Sequence, residues 1–164
     1  MAKNVLVETE FGTFPLDLVI GDKLFVPTAK SLTQPPAPLQ TVDVDHFKCY
    51  DVLLHKGTKF PKGVQITLTD QFYTTPRTLD VKCPAHLCPA ARKNGEQVLD
   101  PCGALVCFDV RPAKGAAKFK AVKSAYTNDQ FGALKQDTVA DDEVCVPGTI
   151  LRGEVLGCLS LGGQ

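Results

Sequence analysis

The sequence predicts an all-β chain, a short-strand sandwich or barrel built from internal repeats of about 58 residues. A β-trefoil-like arrangement with pseudo-threefold symmetry is the alternative architecture. Three observations carry the prediction. Landmarks recur at one spacing of about 58 residues, Cys49 with Cys107, Phe72 with Phe131, and Cys88 with Cys145. Stretches between the landmarks alternate polar with β-branched or apolar residues, as VQITLTDQF from Val64 does, which is the period of a half-buried strand. Turn residues are abundant, with 13 Gly and 12 Pro in 164 positions.

The elements follow in order within a single compact domain spanning residues 1–164. Residues 4–31 form a half-repeat: VLVETEFG from Val5, LDLV at Leu16, and LFVP ending at Pro27. Ser31 to Leu39, with Pro35, Pro36 and Pro38, reads as an extended linker. A full repeat spans 45–92, with HFKCYDV from His46, the strand ending in DQF, LDV at Leu79 and HLCP ending at Pro89. Lys93-Asn94-Gly95-Glu96 is a tight-turn signal. The second full repeat, 104–150, carries LVCFDV, then VKSAYTNDQFG, then DTV and EVCVP ending at Pro147. The stretch from Ala113 to Ala125 looks helical by composition. Its counterpart, His55 to Leu68, holds Gly57, Pro61 and Gly63, which a helix does not tolerate, so the repeat predicts a strand over 121–127. Residues 154–161 resemble the start of a further repeat, with Cys158 in the place of Cys49 and Cys107. Phe11, Phe72 and Phe131 read as core anchors, each following a turn closed by the two preceding residues.

Composition excludes some function classes. Lys+Arg and Asp+Glu are both 18, a formal net charge of +0, so no bulk basic field exists to attract nucleic acid. No apolar run approaches the roughly 20 residues of a membrane-spanning helix, and no membrane insertion is expected. Seven cysteines favour an oxidising setting, hence a secreted or cell-surface chain. The N-terminus lacks the apolar core of a signal peptide, so the expectation is a chain that follows a removed leader or belongs to a longer secreted protein. The incomplete units at both ends leave room for self-association between copies.

The repeat restricts the disulfides to two symmetric patterns, within units or between them. Phe25 stands in the half-repeat where Cys88 and Cys145 stand in the full ones, so pairing between units would strand Cys49. The expected bridges are therefore Cys49–Cys88 and Cys107–Cys145, with Cys83–Cys102 as a third and Cys158 free. A competing reading gathers Cys83, His86, Cys88 and Cys102 into a zinc site, which would allow a metal-dependent or hydrolase-like enzyme. Repeat-equivalent positions without neighbouring ligands suit bridges better, and no cofactor or metal is expected.

Catalytic patterns are sparse. His46, His55 and His86 have no Ser or Asp partner at a useful spacing and read as surface or turn histidines. The recurring acids Asp51/Asp109, Asp70/Asp129 and Asp80/Asp137 form no calcium loop of the D-x-D-x-D-G kind and read as strand-end or turn carboxylates. Lys56, Lys59, Lys62, Lys114, Lys118, Lys120 and Lys123 read as a solvated face. Tyr50, Tyr73 and Tyr126 offer the only support for carbohydrate or surface-polymer binding, in a chain with no Trp. The expectation is a non-enzymatic binding or structural module.

The order HFKCYDV, DQF, LCP, RKNGE, LVCFDV, DQFG, CVP resembles an uncharacterised family of bacterial secreted or cell-surface domains that carry F-x-C-Y-x-V, N/D-Q-F-G and L-C-x-P in tandem. The resemblance covers most of Asp45 to Pro147. It implies a secreted, disulfide-linked β module and no catalytic residues. Cys83, Cys102 and Cys158 depart from the pattern.

Overall fold

A computed structural model describes residues 2–152. The unit expected at 154–161 and the free thiol expected at Cys158 lie outside the described residues. Ten strands and no helix occur among them: β1 Val5–Thr9, β2 Gly12–Phe25, β3 Ala29–Ser31, β4 His46–Leu54, β5 Gln65–Leu68, β6 Arg77–Ala91, β7 Gly103–Pro112, β8 Ala125–Asp129, β9 Gly132–Gln136 and β10 Glu143–Arg152. The chain is all-β.

Seven strands form one antiparallel sheet in the order β4-β2-β1-β10-β7-β6-β5, and β4 pairs with β6 as well. That extra pairing closes six strands into a ring. Closure is possible because β2 and β6 are long, 14 and 15 residues, so that β2 serves two partners and β6 three. The start of β2 pairs with β1 and its continuation with β4. The start of β6 pairs with β5 and its end with β4. Register shifts at Leu18/Gly21 and Val81/Pro84 mark bulges, which bend a strand and let it change partners. A separate three-stranded sheet, β3-β8-β9, stands beside the ring.

Alternation divides the side chains of β7 between two faces. Ala104, Val106, Phe108 and Val110 enter the main core with Val5, Val7, Phe14, Leu16, Leu79, Val81, Leu87 and Ile150. Phe108 is fully buried at its centre, and the rings of Phe11, Phe60 and Phe14 lie 5.1, 5.5 and 6.3 Å from it. Cys107 and Leu105 face the other way and join a second apolar cluster with Cys49, Cys88, Cys145, Phe25 and Phe47.

Both symmetric bridges are present, Cys49–Cys88 and Cys107–Cys145. Cys107 is the direct partner of Cys145 across β7 and β10, and Cys49 falls opposite Cys88 because Tyr50 pairs with Leu87. Neighbouring side chains on adjacent strands are within disulfide reach without any chain rearrangement. The third expected bridge, Cys83–Cys102, is not formed. Cys83 is an exposed free thiol that donates to Asp109 at 3.5 Å, whereas Cys102 is disulfide-bonded elsewhere. Register is the reason: Cys83 lies between Val81, opposite Val110, and Pro84, opposite Phe108, whereas Cys102 precedes β7, whose first residues lie beside the other end of β6 at Pro89.

The three Phe landmarks share one local bond. Thr9 Oγ1 accepts the Phe11 N–H at 3.2 Å, Asp70 Oδ1 that of Phe72 at 2.7 Å, and Asp129 Oδ1 that of Phe131 at 2.7 Å. Gly12 (φ 124°) and Gly132 (φ 114°) then carry the chain out of two tight hairpins in a conformation that would strain any side chain. The environments differ. Phe11 packs on the core, but Phe131 is 73% exposed and anchors nothing, because its hairpin belongs to the smaller sheet. The strand expected over 121–127 begins at Ala125. Ser124 sits at φ 62°, with its N–H held by Asp137 Oδ1 at 2.9 Å, and that break sets the start.

Candidate functional site

Two places gather polar chemistry. The first surrounds His86, which the sequence placed at the surface and the structure buries at 6% exposure. Register explains its neighbours: His86 on β6 lies opposite Asp51 on β4 and Cys107 on β7, while Lys23 on β2 lies opposite Cys49. His86 Nε2 stands 2.9 Å from Asp51 Oδ1, 3.5 Å from Asp22 Oδ2 and 2.8 Å from Lys23 Nζ. His86 Nδ1 stands 3.0 Å from Glu143 Oε2, and Lys23 Nζ donates to Glu143 Oε1 at 3.2 Å. Four strands thus contribute three carboxylates, one ammonium and one imidazole to one charged knot beside the disulfide cluster.

The zinc set read from the sequence does not assemble. Cys88 is bonded to Cys49 and Cys83 is held by Asp109 on the surface, so His86 has no thiolate beside it. Partial desolvation, then the Asp109 carboxylate, raise the Cys83 thiol above its ordinary pKa, which makes it a poor ligand and a poor nucleophile at neutral pH.

The second place is a groove of about 490 Å³ lined by Pro38 and Leu39 of the linker, Val42 and Val44 of the segment that carries it on to β4, Glu96 and Leu99 of the β6–β7 loop, and Asp129 and Gln130 of the β8–β9 turn. Its walls are pinned. Asp45 accepts the N–H groups of Leu99 at 2.7 Å and Asp100 at 3.0 Å, which fastens the β6–β7 loop to the linker. Asn128 Nδ2 donates to the Pro36 carbonyl at 3.0 Å and fastens the linker to β8. The predicted turn is there: Asn94 (φ 51°) and Gly95 (φ 83°) close on a Glu96 N–H to Lys93 carbonyl bond of 2.9 Å, the left-handed pair that Asn-Gly favours. It places Glu96 between Lys93 at 2.8 Å and His46 at 3.3 Å, and the Lys93 hydrogen bond holds the Glu96 carboxyl below its ordinary pKa. The apolar lining is open to solvent, with Leu39 43%, Val42 47%, Val44 58% and Leu99 59% exposed.

The remaining candidates are dispersed. His55 Nδ1 pairs with Asp17 at 2.8 Å. Tyr50 lies under Lys48, Tyr126 under Lys135, and Tyr73 is covered by the Arg77 guanidinium at 4.3 Å; none of the three lines the groove. Arg77 is buried and pairs with Asp141. Of the recurring acids, Asp70 and Asp129 cap turns, Asp80 binds Gln65, Lys82 and Arg111, and Asp137 binds Lys123. All seven loop lysines are exposed or half-buried at the surface. All three histidines have carboxylate partners that spacing could not reveal, 38 residues away for His55 and 57 for His86 to Glu143. No helix among the described residues is long and apolar enough to cross a membrane. No family model, curated protein or solved structure matches this chain.

Proposed function

We propose that the protein is an extracytoplasmic, disulfide-braced β module that binds an apolar ligand or peptide segment in the groove between the linker and the β8–β9 turn. The observation that carries this reading is the groove itself. Four large aliphatic side chains stay exposed on walls fixed by side-chain to backbone hydrogen bonds, and Phe131 follows Gln130 at its rim. Rigid walls lower the ordering cost of binding, and clustered exposed apolar area is what a ligand can cover. The two bridges support an oxidising compartment. The likeness to bacterial secreted repeat domains points the same way, towards a binding or structural part and not an enzyme.

A ¹H–¹⁵N NMR screen of apolar fragments and short hydrophobic peptides tests the proposal. Ligands should shift the resonances of Val42, Val44 and Leu99. Covering the exposed half of one aliphatic side chain is worth about 1 kcal/mol, so Leu99→Ser should weaken binding about fivefold without changing the fold. Ligands that bind but leave these resonances unmoved would place the binding face elsewhere.

A further inference from the structure

We propose that the chain binds one divalent first-row transition-metal ion between His86, Asp22 and Asp51, at the position that the Lys23 ammonium now shares with them. The carboxylates alone do not make this case; the buried imidazole does. Its side chain is 8% exposed, and both ring nitrogens face carboxylates. Glu143 Oε2, at 3.0 Å from Nδ1, accepts the Nδ1–H. In the tautomer with its proton on Nδ1, the lone pair projects from Nε2. The same carboxylate-to-imidazole support stands behind metal-binding histidines in general.

The Nε2 lone pair and the oxygens of Asp51 and Asp22 then converge, all within 4.8 Å of one another, from three different strands. Three electron-rich atoms repel unless positive charge stands among them. Lys23 Nζ supplies some, 2.8 Å from Nε2, 3.2 Å from Glu143 and 4.0 Å from Asp22, while Asp51 faces the imidazole, so one ammonium stands among three carboxylates. A divalent ion held by the imidazole nitrogen and these oxygens would bring further positive charge to a place where carboxylates outnumber the ammonium. Imidazole nitrogen with carboxylate oxygen suits zinc and manganese among biological metals. Lys23 can give way, since its side chain is 41% exposed and its strand is bulged at Gly21/Lys23. The neighbouring set of Cys107, Glu143 and Cys145 does not compete, because its two sulfurs are bonded to each other.

The ion would clip β2, β4 and β6 together beside the bulge at Gly21/Lys23 that interrupts the pairing of β2 with β4. The test is zinc binding to the whole oxidised protein after chelator treatment, by calorimetry and by equilibrium dialysis with elemental analysis. The d–d spectrum of cobalt would report the ligand set. One ion per chain and a rise in melting temperature with zinc concentration are expected. Asp51→Asn should weaken binding at least tenfold, Glu143→Gln should weaken it ten- to a hundredfold through the imidazole, and Lys23→Met should tighten it. Asp51 is 45% exposed, so its variant should fold, and near-ultraviolet circular dichroism checks that it does. Stoichiometry near zero overturns the proposal. So does zinc affinity unchanged in folded Asp51→Asn, or weakened in folded Lys23→Met.

Discussion

Deleting the Cys107–Cys145 bridge tests how much of the stability is covalent. The bridge closes a loop of 38 residues. In the chain-entropy account, opening such a loop returns about 13 cal/mol/K to the unfolded chain, or about 4 kcal/mol at 25 °C. The Cys49–Cys88 loop, 39 residues long, does not overlap it in sequence. The two entropic contributions therefore add to about 8 kcal/mol. A domain's whole stability is about 5–15 kcal/mol, so one bridge should be dispensable and both should not. Alanine is the replacement of choice because Cys49, Cys88 and Cys107 are fully buried among apolar side chains, where a serine hydroxyl would lack a partner. The assay is equilibrium urea unfolding of Cys107→Ala/Cys145→Ala and of the four-alanine variant under non-reducing conditions. With a slope of about 2 kcal/mol per molar urea, the first should lower the midpoint by about 2 M, and the second should be unfolded at about 37 °C. A midpoint shift below about 0.5 M for Cys107→Ala/Cys145→Ala would refute the reasoning and assign the stability to the apolar core.

Two further outcomes follow from the core and from one ion pair. Phe108→Ala should cost about 3–5 kcal/mol in a thermal or urea melt, because the site is fully buried among three aromatic rings that cannot collapse into the space; a loss under about 1 kcal/mol would contradict that packing. The Asp17 carboxyl is held below its ordinary value of 3.8, first by the Asn4 N–H and then by His55. A depressed carboxyl stabilises the fold above the unfolded value and loses that contribution as pH falls through the lower folded one. Asp17→Asn should therefore flatten the acid limb of the stability profile below about pH 4, and an unchanged limb in urea titrations between about pH 2 and 5 would count against the assignment.

The all-β class was legible because alternation and turn residues act locally. The two symmetric bridges were legible because equivalent cysteines recur at places that end up opposite one another on paired strands. The third bridge failed for a reason that no spacing reveals. In LDVKCPAHLC the pairing register sets Cys83 beside Asp109 on the far half of β7, while Cys102 precedes that strand and lies by the other end of β6. His86 was misjudged for a related reason. Its burial comes from Asp51, Lys23 and Glu143, on strands that meet it only when the sheet closes into a ring.

The Phe landmarks separate what sequence encodes from what packing decides. A Thr or Asp side chain binding the N–H two residues on needs only local geometry, and the same bond forms at Phe11, Phe72 and Phe131. What the ring then touches depends on which sheet the hairpin joins. The β1–β2 hairpin is part of the closed ring, so Phe11 meets Phe108 edge-on. The β8–β9 hairpin pairs with β3 instead, and every residue of β9 is exposed. An apolar residue stabilises a fold only where something covers it. Leu39, Val42, Val44 and Leu99 gather such uncovered apolar surface on one groove wall, next to Gln130 and the exposed Phe131, and that is why the binding face is sought there and not at the other hairpin.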